Sequence, residues 1–600
     1  MHNESSAMMT VQYKISPSNL NSHLFDVSIH FQSEADKTYT LSLPAWLPGS
    51  YMIRDFAKNI ITINAKDEQN SQLDLQAIDK QTWQVTATNK QTNIHYQVFA
   101  FDLSVRTAYL DTQRGFFNGS STFLAIEELI DHACSLQISA PSDNTDWRVA
   151  TGLPRGNNTT KYAFGEYEAD DYAHLIDCPV AIGNFDSFEF EVEGVVHHMV
   201  FTSKHYGDRA RISSDVSKLC QHHINLFGEA PFKEYWFITH LLADGFGGLE
   251  HKNSTILQAS RFDLPNPNKP NELSEDYQAF LSLCSHEYFH AWNVCRIKPK
   301  AFIPYQLDQE SYTEQLWAYE GITSYYDDFS LFRAGLITFE AYLTILSKAA
   351  TRVYRGKGEL KQSVTQSSFY TWTKFYQQGP DAVNNIVSYY VKGSLIALWL
   401  DLTIREKSAG QYSLDNLMKE LWIHFGRPNV GTQQEDFINI VNILCNEDIS
   451  DDFKNLLNTA KRVELTELLS KVGVSFNTSK FKELNKIETI ETTDYVPYIG
   501  AQYKPQPVGL KVSQVIEDSP AAKAGIAVND VIIAVDKMHA TEKSLQKLAN
   551  YLPENSEVAC HYLRDDQLLT STLQFTDSPL TGVILSEIDQ TLSQKWQIII

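Results

Sequence analysis

Apolar and polar residues alternate along short stretches in the first third of the chain. In one stretch every second position is apolar, at Phe25, Val27, Ile29 and Phe31. The same alternation recurs at residues 188–192, and clusters of turn-forming residues separate such runs. A period of two is typical of a strand with one buried and one solvent-facing side. The pattern predicts a β-sandwich-like domain over residues 1–190.

The hydrophobic period changes in the middle of the chain. Apolar residues recur at the spacing of one helix face, at Tyr277, Phe280, Leu281, Cys284 and Tyr288. Ser274 stands just before this stripe as a helix start signal. Residues 309–336 and 391–405 also have a helical pattern. Residues 191–490 are therefore predicted to form a second domain, mixed at first and then mainly helical.

Short strand patterns return near the end of the chain. They include residues 508–512 and 530–536, with a turn-rich segment at residues 519–526 between them. Residues 495–577 are predicted to form a small third domain, of a kind that usually binds chain ends, and residues 578–600 a C-terminal tail. The predicted fold class is multidomain α+β.

Composition limits the classes of function. The 600 residues are 43% hydrophobic and 12% aromatic, which predicts several buried cores, because single cores stop growing near about 250–300 residues. No run approaches the roughly 18 apolar residues of a membrane span, and the first ten residues lack the regions of a signal peptide. A cytoplasmic location is expected.

Charge and cysteine content exclude other classes. The formal charge of −23 disfavours nucleic acid or an anionic membrane as a partner and is compatible with a substrate that carries an ammonium group. The seven cysteines are scattered and lack C-x-x-C spacing, so neither a disulfide framework nor a cysteine zinc site is expected.

The predicted helix at residues 277–288 carries the motif H-E-x-x-H. His286 and His290 stand four residues apart, so both imidazoles can reach one metal ion at about 2.0–2.1 Å. Glu287 can then reach a water molecule at that metal, which is the arrangement of zinc peptidases. The alternative is a buried helix whose histidines only form hydrogen bonds, and the intervening Glu287 disfavours it.

A catalytic zinc needs a third protein ligand and an open position. Spacing alone does not distinguish among Glu310, Glu314 and Glu320. The segment 316–326 resembles the W-x-x-E-G segment that supplies the third zinc ligand in the aminopeptidase branch of H-E-x-x-H enzymes. This resemblance implies Glu320.

Two further segments resemble that branch. Gly247-Gly248-Leu249-Glu250 is similar to the motif that grips the free amino terminus of a substrate. A carboxylate suits an ammonium group, and glycines let a substrate backbone approach a strand edge. Tyr390 begins a Y-x-K-G segment, whose tyrosine donates a hydrogen bond to the oxyanion in that branch.

The chain as a whole resembles the glycyl aminopeptidase family, which combines a β-rich domain, a thermolysin-like catalytic domain and a PDZ domain. The segments that carry the resemblance are residues 45–51, 247–251, 286–293, 317–326 and 519–536. It implies one zinc ion per chain, held by His286, His290 and Glu320, with Glu287 as general base. The implied reaction is removal of a small first residue, Gly or Ala, from peptides with a free amino terminus.

Other interpretations stay open at this point. A zinc endopeptidase is expected if Glu250 does not face the cleft, and a non-catalytic adaptor if the peptidase core has decayed. The loop at residues 44–51 is expected to pack on a neighbouring domain rather than to act in catalysis. A peptide groove in the PDZ-like domain is expected between the strand that opens at Gly509 and the helix that begins near Ser544. Peptide capture there and packing against the catalytic domain are equally compatible with the sequence.

Overall fold

The computed structural model describes residues 10–142 and 146–597. The chain forms two compact units, Met1–Ser311 and Tyr312–Ile600. The division falls within residues 191–490, so the boundaries predicted from the sequence remain predictions. None of the helices in the described ranges has the length and apolar character that a membrane crossing requires.

The first unit begins with a β-rich domain. Its strands are β1 (Val11–Asn19), β2 (Leu24–Gln32), β3 (Thr38–Ser42), β4 (Ile60–Asp67), β5 (Gln72–Leu73), β6 (Leu75–Ala77), β7 (Thr82–Thr86), β8 (Gln91–Phe99), β9 (Ala108–Leu110), β10 (Arg114–Phe117), β11 (Ala125–Ile126), β12 (Cys134–Ile138), β13 (Arg148–Thr151), β14 (Gly165–Ala169) and β15 (Val180–Gly183). The sheets have the orders β14-β12-β1-β2-β8-β4-β5, β13-β15-β10-β9 and β11-β3-β7-β6. The alternating apolar residues of β2 are all buried, as predicted.

A five-stranded sheet follows in the same unit, with helices beside it. Its strands are β16 (Asp186–Val192), β17 (Val195–Phe201), β18 (Glu234–Leu242), β19 (Gly247–Glu250) and β20 (Ser254–Ser260), and the helices of the unit are α1 (Tyr172–Ile176), α2 (Arg209–Phe227) and α3 (Glu275–Phe289). The order β16-β17-β18-β20-β19 puts β19 at one edge. The sequence assigns residues up to 190 to the β-sandwich-like domain, but β16, which contains residues 188–190, pairs with β17. Alternation predicts that a segment forms a strand, but it does not predict which sheet the strand joins, because strand pairing depends on the tertiary structure.

Helix α3 forms as its sequence predicts. The Ser274 hydroxyl accepts a hydrogen bond from the Tyr277 N–H and caps the first turn. The predicted apolar stripe is buried against α2, against the edge strand β19 and against its neighbour β20. His290 is the C-terminal cap of α3, so the H-E-x-x-H motif occupies its last turn, beside the edge of the sheet.

The second unit begins with a helical region. Its helices are α4 (Ile322–Arg333), α5 (Phe339–Tyr354), α6 (Val364–Phe369), α7 (Ala382–Asn385), α8 (Val391–Lys407), α9 (Leu414–Leu421), α10 (Gln434–Cys445), α11 (Ser450–Asn458) and α12 (Thr466–Lys471). The helical pattern predicted from residue 309 begins only at a π-helical turn, Trp317–Gly321, which leads directly into α4. Such turns are rare in proteins, and those that occur often lie at functional sites.

The PDZ-like domain that the resemblance implies forms a separate sheet within this unit, and the fold is multidomain α+β, as predicted. Its elements are β23 (Pro497–Tyr498), β24 (Ala501–Gln506), β25 (Gly509–Val515), α13 (Pro520–Lys523), β26 (Val531–Val535), β27 (Met538–His539), α14 (Glu542–Tyr551), β28 (Ser556–Arg564) and β29 (Gln567–Asp577). The strand order is β23-β29-β28-β26-β25-β24, with β27 paired to β26. The prediction that a peptide would pair with the strand that opens at Gly509 was wrong. That strand, β25, already pairs with β24 on one side and with β26 on the other. The strand at this edge of the sheet is β24, and β23 lies at the other edge.

The residues that flank the PDZ domain return to the helical region. The strands β21 (Val474–Phe481), β22 (Thr489–Ile490) and β30 (Gly582–Glu587) form a sheet, and helix α15 (Gln590–Gln597) follows. Trp596 of α15 is fully buried, and its indole N–H donates to the Asp401 carboxylate over 3.0 Å. Residues 578–600 were predicted as a tail, and the described part of them, up to residue 597, is instead integral to the helical region. The sequence did not predict this because β30 finds its partner across the whole PDZ insertion.

Candidate active site

The two histidines of the H-E-x-x-H motif face each other. Their Nε2 atoms are 3.1 Å apart, and His290 is buried. The Nδ1 of His290 lies 2.6 Å from the carbonyl oxygen of Asn293, to which it donates as N–H. That hydrogen bond fixes the ring tautomer and leaves the Nε2 lone pair available to a metal ion.

This geometry fits a zinc ion. Two Zn–N bonds of about 2.05 Å at a tetrahedral angle place the nitrogen atoms about 3.3 Å apart, close to the 3.1 Å between His286 and His290. Imidazole nitrogens and carboxylate oxygens are the donors that zinc takes in catalytic sites.

The motif is held rigidly by the five-stranded sheet. The Tyr235 hydroxyl donates to the carbonyl oxygen of Glu287 over 3.2 Å, and the Tyr288 hydroxyl is 2.8 Å from the Nε2 of His197. Burial lowers the pKa of His197 to about 4, so its ring is neutral and pairs with the hydroxyl without adding charge. Strands β17 and β18 therefore fix the turn of α3 that carries Glu287.

Glu287 lies against the edge strand β19. A Cβ atom added at Gly248 would stand 2.0 Å from Oε1 of Glu287, so any other residue there would displace the Glu287 carboxylate. Donor atoms of Glu250, Glu287 and His290 all lie within 4.8 Å of one another, and all three residues are buried. Two carboxylates so close together make a strongly negative pocket that suits a bound cation.

The loop at residues 45–51 reaches the same pocket. Gly49 has φ +81°, and a Cβ atom there would stand 2.4 Å from Oε2 of Glu250. The loop is held in place by the Trp46 indole N–H, which donates to the carbonyls of Gln306 and Gln309. The expected packing role is thus accompanied by contact with a candidate binding residue. The Pro48-Gly49 pair indicates a turn in the sequence, but no signal there points to Glu250.

The second unit carries Glu320 and Tyr390, which the resemblance implies as zinc ligand and oxyanion donor. Glu320 lies in the π-helical turn and is 2% exposed, whereas Glu314 is exposed and Glu310 half-buried. A Cβ atom added at Gly321 would stand 2.5 Å from the Cα of Gly393 in α8. The glycines of the W-x-x-E-G and Y-x-K-G segments therefore allow the two backbones to touch, which brings Glu320 near the start of α8.

The two tyrosines before α8 differ in environment. Tyr389 is fully buried, and its hydroxyl is 2.9 Å from the Thr371 hydroxyl. Burial raises the pKa of Tyr389 well above its ordinary value, and the nearby Tyr376 and Glu320 raise it further. Tyr390 is only partly buried and stacks on Tyr389 with ring centroids 4.8 Å apart. Of the two tyrosines, Tyr390 is the more accessible.

Comparisons with known proteins agree along the chain. Residues 12–184 match the Peptidase M61 N-terminal domain, residues 279–396 match the M61 glycyl aminopeptidase family, and residues 497–574 match the PDZ domain. Over 76 residues the chain is 37% identical to the serine endoprotease DegS of Escherichia coli strain K12, which is 12% of this chain and about a fifth (21%) of that protein.

Solved structures extend the comparison to the whole chain. The structure of an aminopeptidase N family protein from Idiomarina loihiensis is 43% identical, covers 98% of this chain and 100% of its own, and superposes with a TM-score of 0.95. An M1 zinc metallopeptidase from Deinococcus radiodurans is 11% identical, with a TM-score of 0.47 over 76% of this chain and 96% of its own. Sequence, domain order and full-length similarity agree, and the chain belongs to the M61 glycyl aminopeptidase family of peptidases.

Proposed function

We propose that this peptidase is a zinc-dependent aminopeptidase that releases small first residues, Gly or Ala, from peptides with a free amino terminus. One zinc ion per chain would be held by His286, His290 and Glu320. The observation that carries the proposal is the closeness of Glu250 and Glu287, whose carboxylate oxygens lie within 4.8 Å of each other and of a His290 nitrogen.

The start of a peptide chain fits within that limit. The amino nitrogen and the first carbonyl carbon of a peptide are about 2.5 Å apart, as bond lengths of about 1.46 and 1.52 Å require. An ammonium group bound to Glu250 therefore brings the first peptide bond beside Glu287, and an endopeptidase would need no such anchor. The edge strand Gly247–Glu250 can pair with the substrate backbone, because Gly247 and Gly248 have no side chains and let that backbone approach closely.

The side chains supply the proton transfers and the binding contacts. Glu287 accepts a proton from the attacking water and returns it to the leaving amine. Zinc bound at its three ligands would polarise the substrate carbonyl and lower the pKa of a water molecule. Tyr390 donates a hydrogen bond to the oxygen of the attacked carbonyl as its negative charge develops. The acceptor for the substrate ammonium is Glu250, so the anchor and the base are separate carboxylates.

Zinc content and substrate selectivity test the proposal together. We expect the purified protein to carry one zinc per chain and to hydrolyse glycyl and alanyl p-nitroanilides faster than leucyl p-nitroanilide. N-acetylated versions should resist hydrolysis, because an amide cannot provide the ammonium that Glu250 binds. Equal cleavage of blocked and free substrates would support an endopeptidase instead, and a zinc-loaded protein that cleaves neither would support an adaptor.

Two substitutions test the assigned roles. Glu287→Gln should keep zinc and lose nearly all turnover, because it removes only the proton acceptor. Glu320→Ala should lose both zinc and turnover, since it removes a ligand. Full zinc occupancy in Glu320→Ala would return the choice of ligand to Glu310 or Glu314.

A further inference from the structure

A hairpin loop of the helical region points towards the PDZ domain. Strands β21 and β22 pair with Phe481 opposite Thr489, and the Lys482 N–H donates to the Glu488 carbonyl over 2.8 Å. Residues 482–488 therefore form a loop that is closed at its base. We call it the plug loop.

The tip of the plug loop pairs with the edge strand of the PDZ domain. The Asn485 amide nitrogen donates to the carbonyl oxygen of Tyr503, and the Tyr503 N–H donates to the Asn485 amide oxygen, both over 2.8 Å. These are the two hydrogen bonds that a residue of an added strand would make with Tyr503 of β24. The Asn485 amide nitrogen also donates to the Glu542 carboxylate of α14 over 3.0 Å.

Leu484 places an apolar side chain between the same two elements. Its N–H donates to the Gln546 side chain of α14 over 3.0 Å. Only 7% of Leu484 is exposed, and it belongs to the apolar core cluster of the PDZ domain together with Tyr503, Leu545 and Ala549. An edge strand, a helix and an apolar pocket are the parts with which PDZ domains bind an extended peptide.

We propose that the peptide groove of the PDZ domain is a binding site for the protein's own plug loop, with Leu484 and Asn485 in place of a bound peptide. The loop attaches the PDZ domain to the helical region, and an external peptide binds only by displacing it. The domain acts as an internal clamp and does not capture substrate termini while the loop is seated. This inference concerns the PDZ domain alone and does not depend on the proposed zinc chemistry.

Thiol labelling of the full-length protein tests whether the loop is seated. The cysteines of the chain are all buried, so an introduced thiol reports on its own position. Leu484→Cys should react with a maleimide on the order of 100-fold more slowly than Lys486→Cys, because a buried thiol reacts only when the structure opens. Lys486 is a matched control on the same loop, with 54% of its side chain exposed. Equal labelling rates would overturn the proposal.

Hydrogen exchange tests whether the loop behaves as a ligand. Asn485→Asp removes the donor to Tyr503 and sets a second carboxylate beside Glu542, so exchange in residues 501–506 should rise roughly tenfold or more. Lys486→Ala should leave that exchange unchanged. A peptide with the sequence of residues 481–489, closed by a disulfide between one cysteine added at each end and supplied at millimolar concentration, should restore protection in Asn485→Asp. A version with glycine for Leu484 and Asn485 should not.

Two outcomes would contradict the proposal. Unchanged exchange in residues 501–506 of Asn485→Asp would show that the loop does not cover the edge strand. Increased exchange that the closed peptide fails to reverse would show packing between parts of one fold and not occupation of a binding groove.

Discussion

The contact between Gly248 and Glu287 gives the most direct test of the active-site geometry. In Gly248→Ala the new Cβ would stand 2.0 Å from Oε1, 2.4 Å from Cδ and 2.6 Å from Cγ of Glu287. Non-bonded atoms approach to about 3.5 Å, so the carboxylate must move by about 1.5 Å. Because Glu287 lies in a buried turn held by Tyr235, its side chain moves more readily than the helix does.

A displacement of this size should lower the rate greatly. A misplacement of about 1 Å costs about 100-fold, which corresponds to about 2.7 kcal/mol of barrier. We therefore expect kcat of Gly248→Ala on alanyl p-nitroanilide to fall about 100-fold. Zinc content should be unchanged, because the substitution does not touch the facing nitrogens of His286 and His290.

The assay combines steady-state kinetics, metal analysis and a melting temperature. Gly247→Ala is the comparison on the same strand, since a Cβ there meets no atom within 4 Å and leaves Glu287 in place. Its φ of +158° is one that residues with a Cβ rarely adopt, and Gly247 faces the substrate, so this variant should lower the melting temperature and raise KM with little change in kcat. A folded, zinc-loaded Gly248→Ala with kcat within about threefold of wild type would refute the reasoning, because the carboxylate would then tolerate a displacement that proton transfer should not.

Further predictions concern other residues. Gly49→Ala should raise KM for free amino termini about tenfold, because its Cβ would press on Glu250. The control is Gly194→Ala, which has a similar φ of +76° and open space around it and should only lower stability by about 1–2 kcal/mol. Equal KM values in the two variants would exclude the contact. Tyr390→Phe should lower kcat by about two to three orders of magnitude at full zinc content, while Tyr389→Phe should mainly lower the melting temperature through loss of its hydrogen bond to Thr371; the reverse pattern would exchange their roles.

The last prediction concerns removal of the PDZ domain. We expect a variant in which two glycines replace residues 492–580, and Ser replaces Leu484, to be a folded, active peptidase. The short linker suffices because Thr489 and Gly582 already touch at the ends of the insertion. The Ser replaces an apolar side chain that packs in the core of the PDZ domain. Deleting residues 495–600 should instead yield insoluble protein, since loss of a buried tryptophan such as Trp596 alone costs about 3–5 kcal/mol. Soluble, active protein from that deletion would contradict the assigned role of α15.

Local spacing determined the parts of the site that lie on one element. The four-residue separation of His286 and His290 fixes two facing nitrogens wherever a helix forms, and Ser274 with the apolar stripe makes that helix form. The apolar alternation of β2 likewise sets which side is buried. These features depend on the helix and strand periods, so the sequence alone carries them.

The tertiary structure decided which elements meet. Gly49 touches Glu250 across about two hundred residues, the π-helical turn carries Glu320, and β30 returns to β21 after the PDZ domain. A Pro-Gly pair or a run of alternating apolar residues predicts the local conformation of a segment. The segment that it contacts depends on the path of the whole chain. The edge strand β24 and its occupation by Asn485 follow from that path as well, because a free edge exists only once every other strand has been paired.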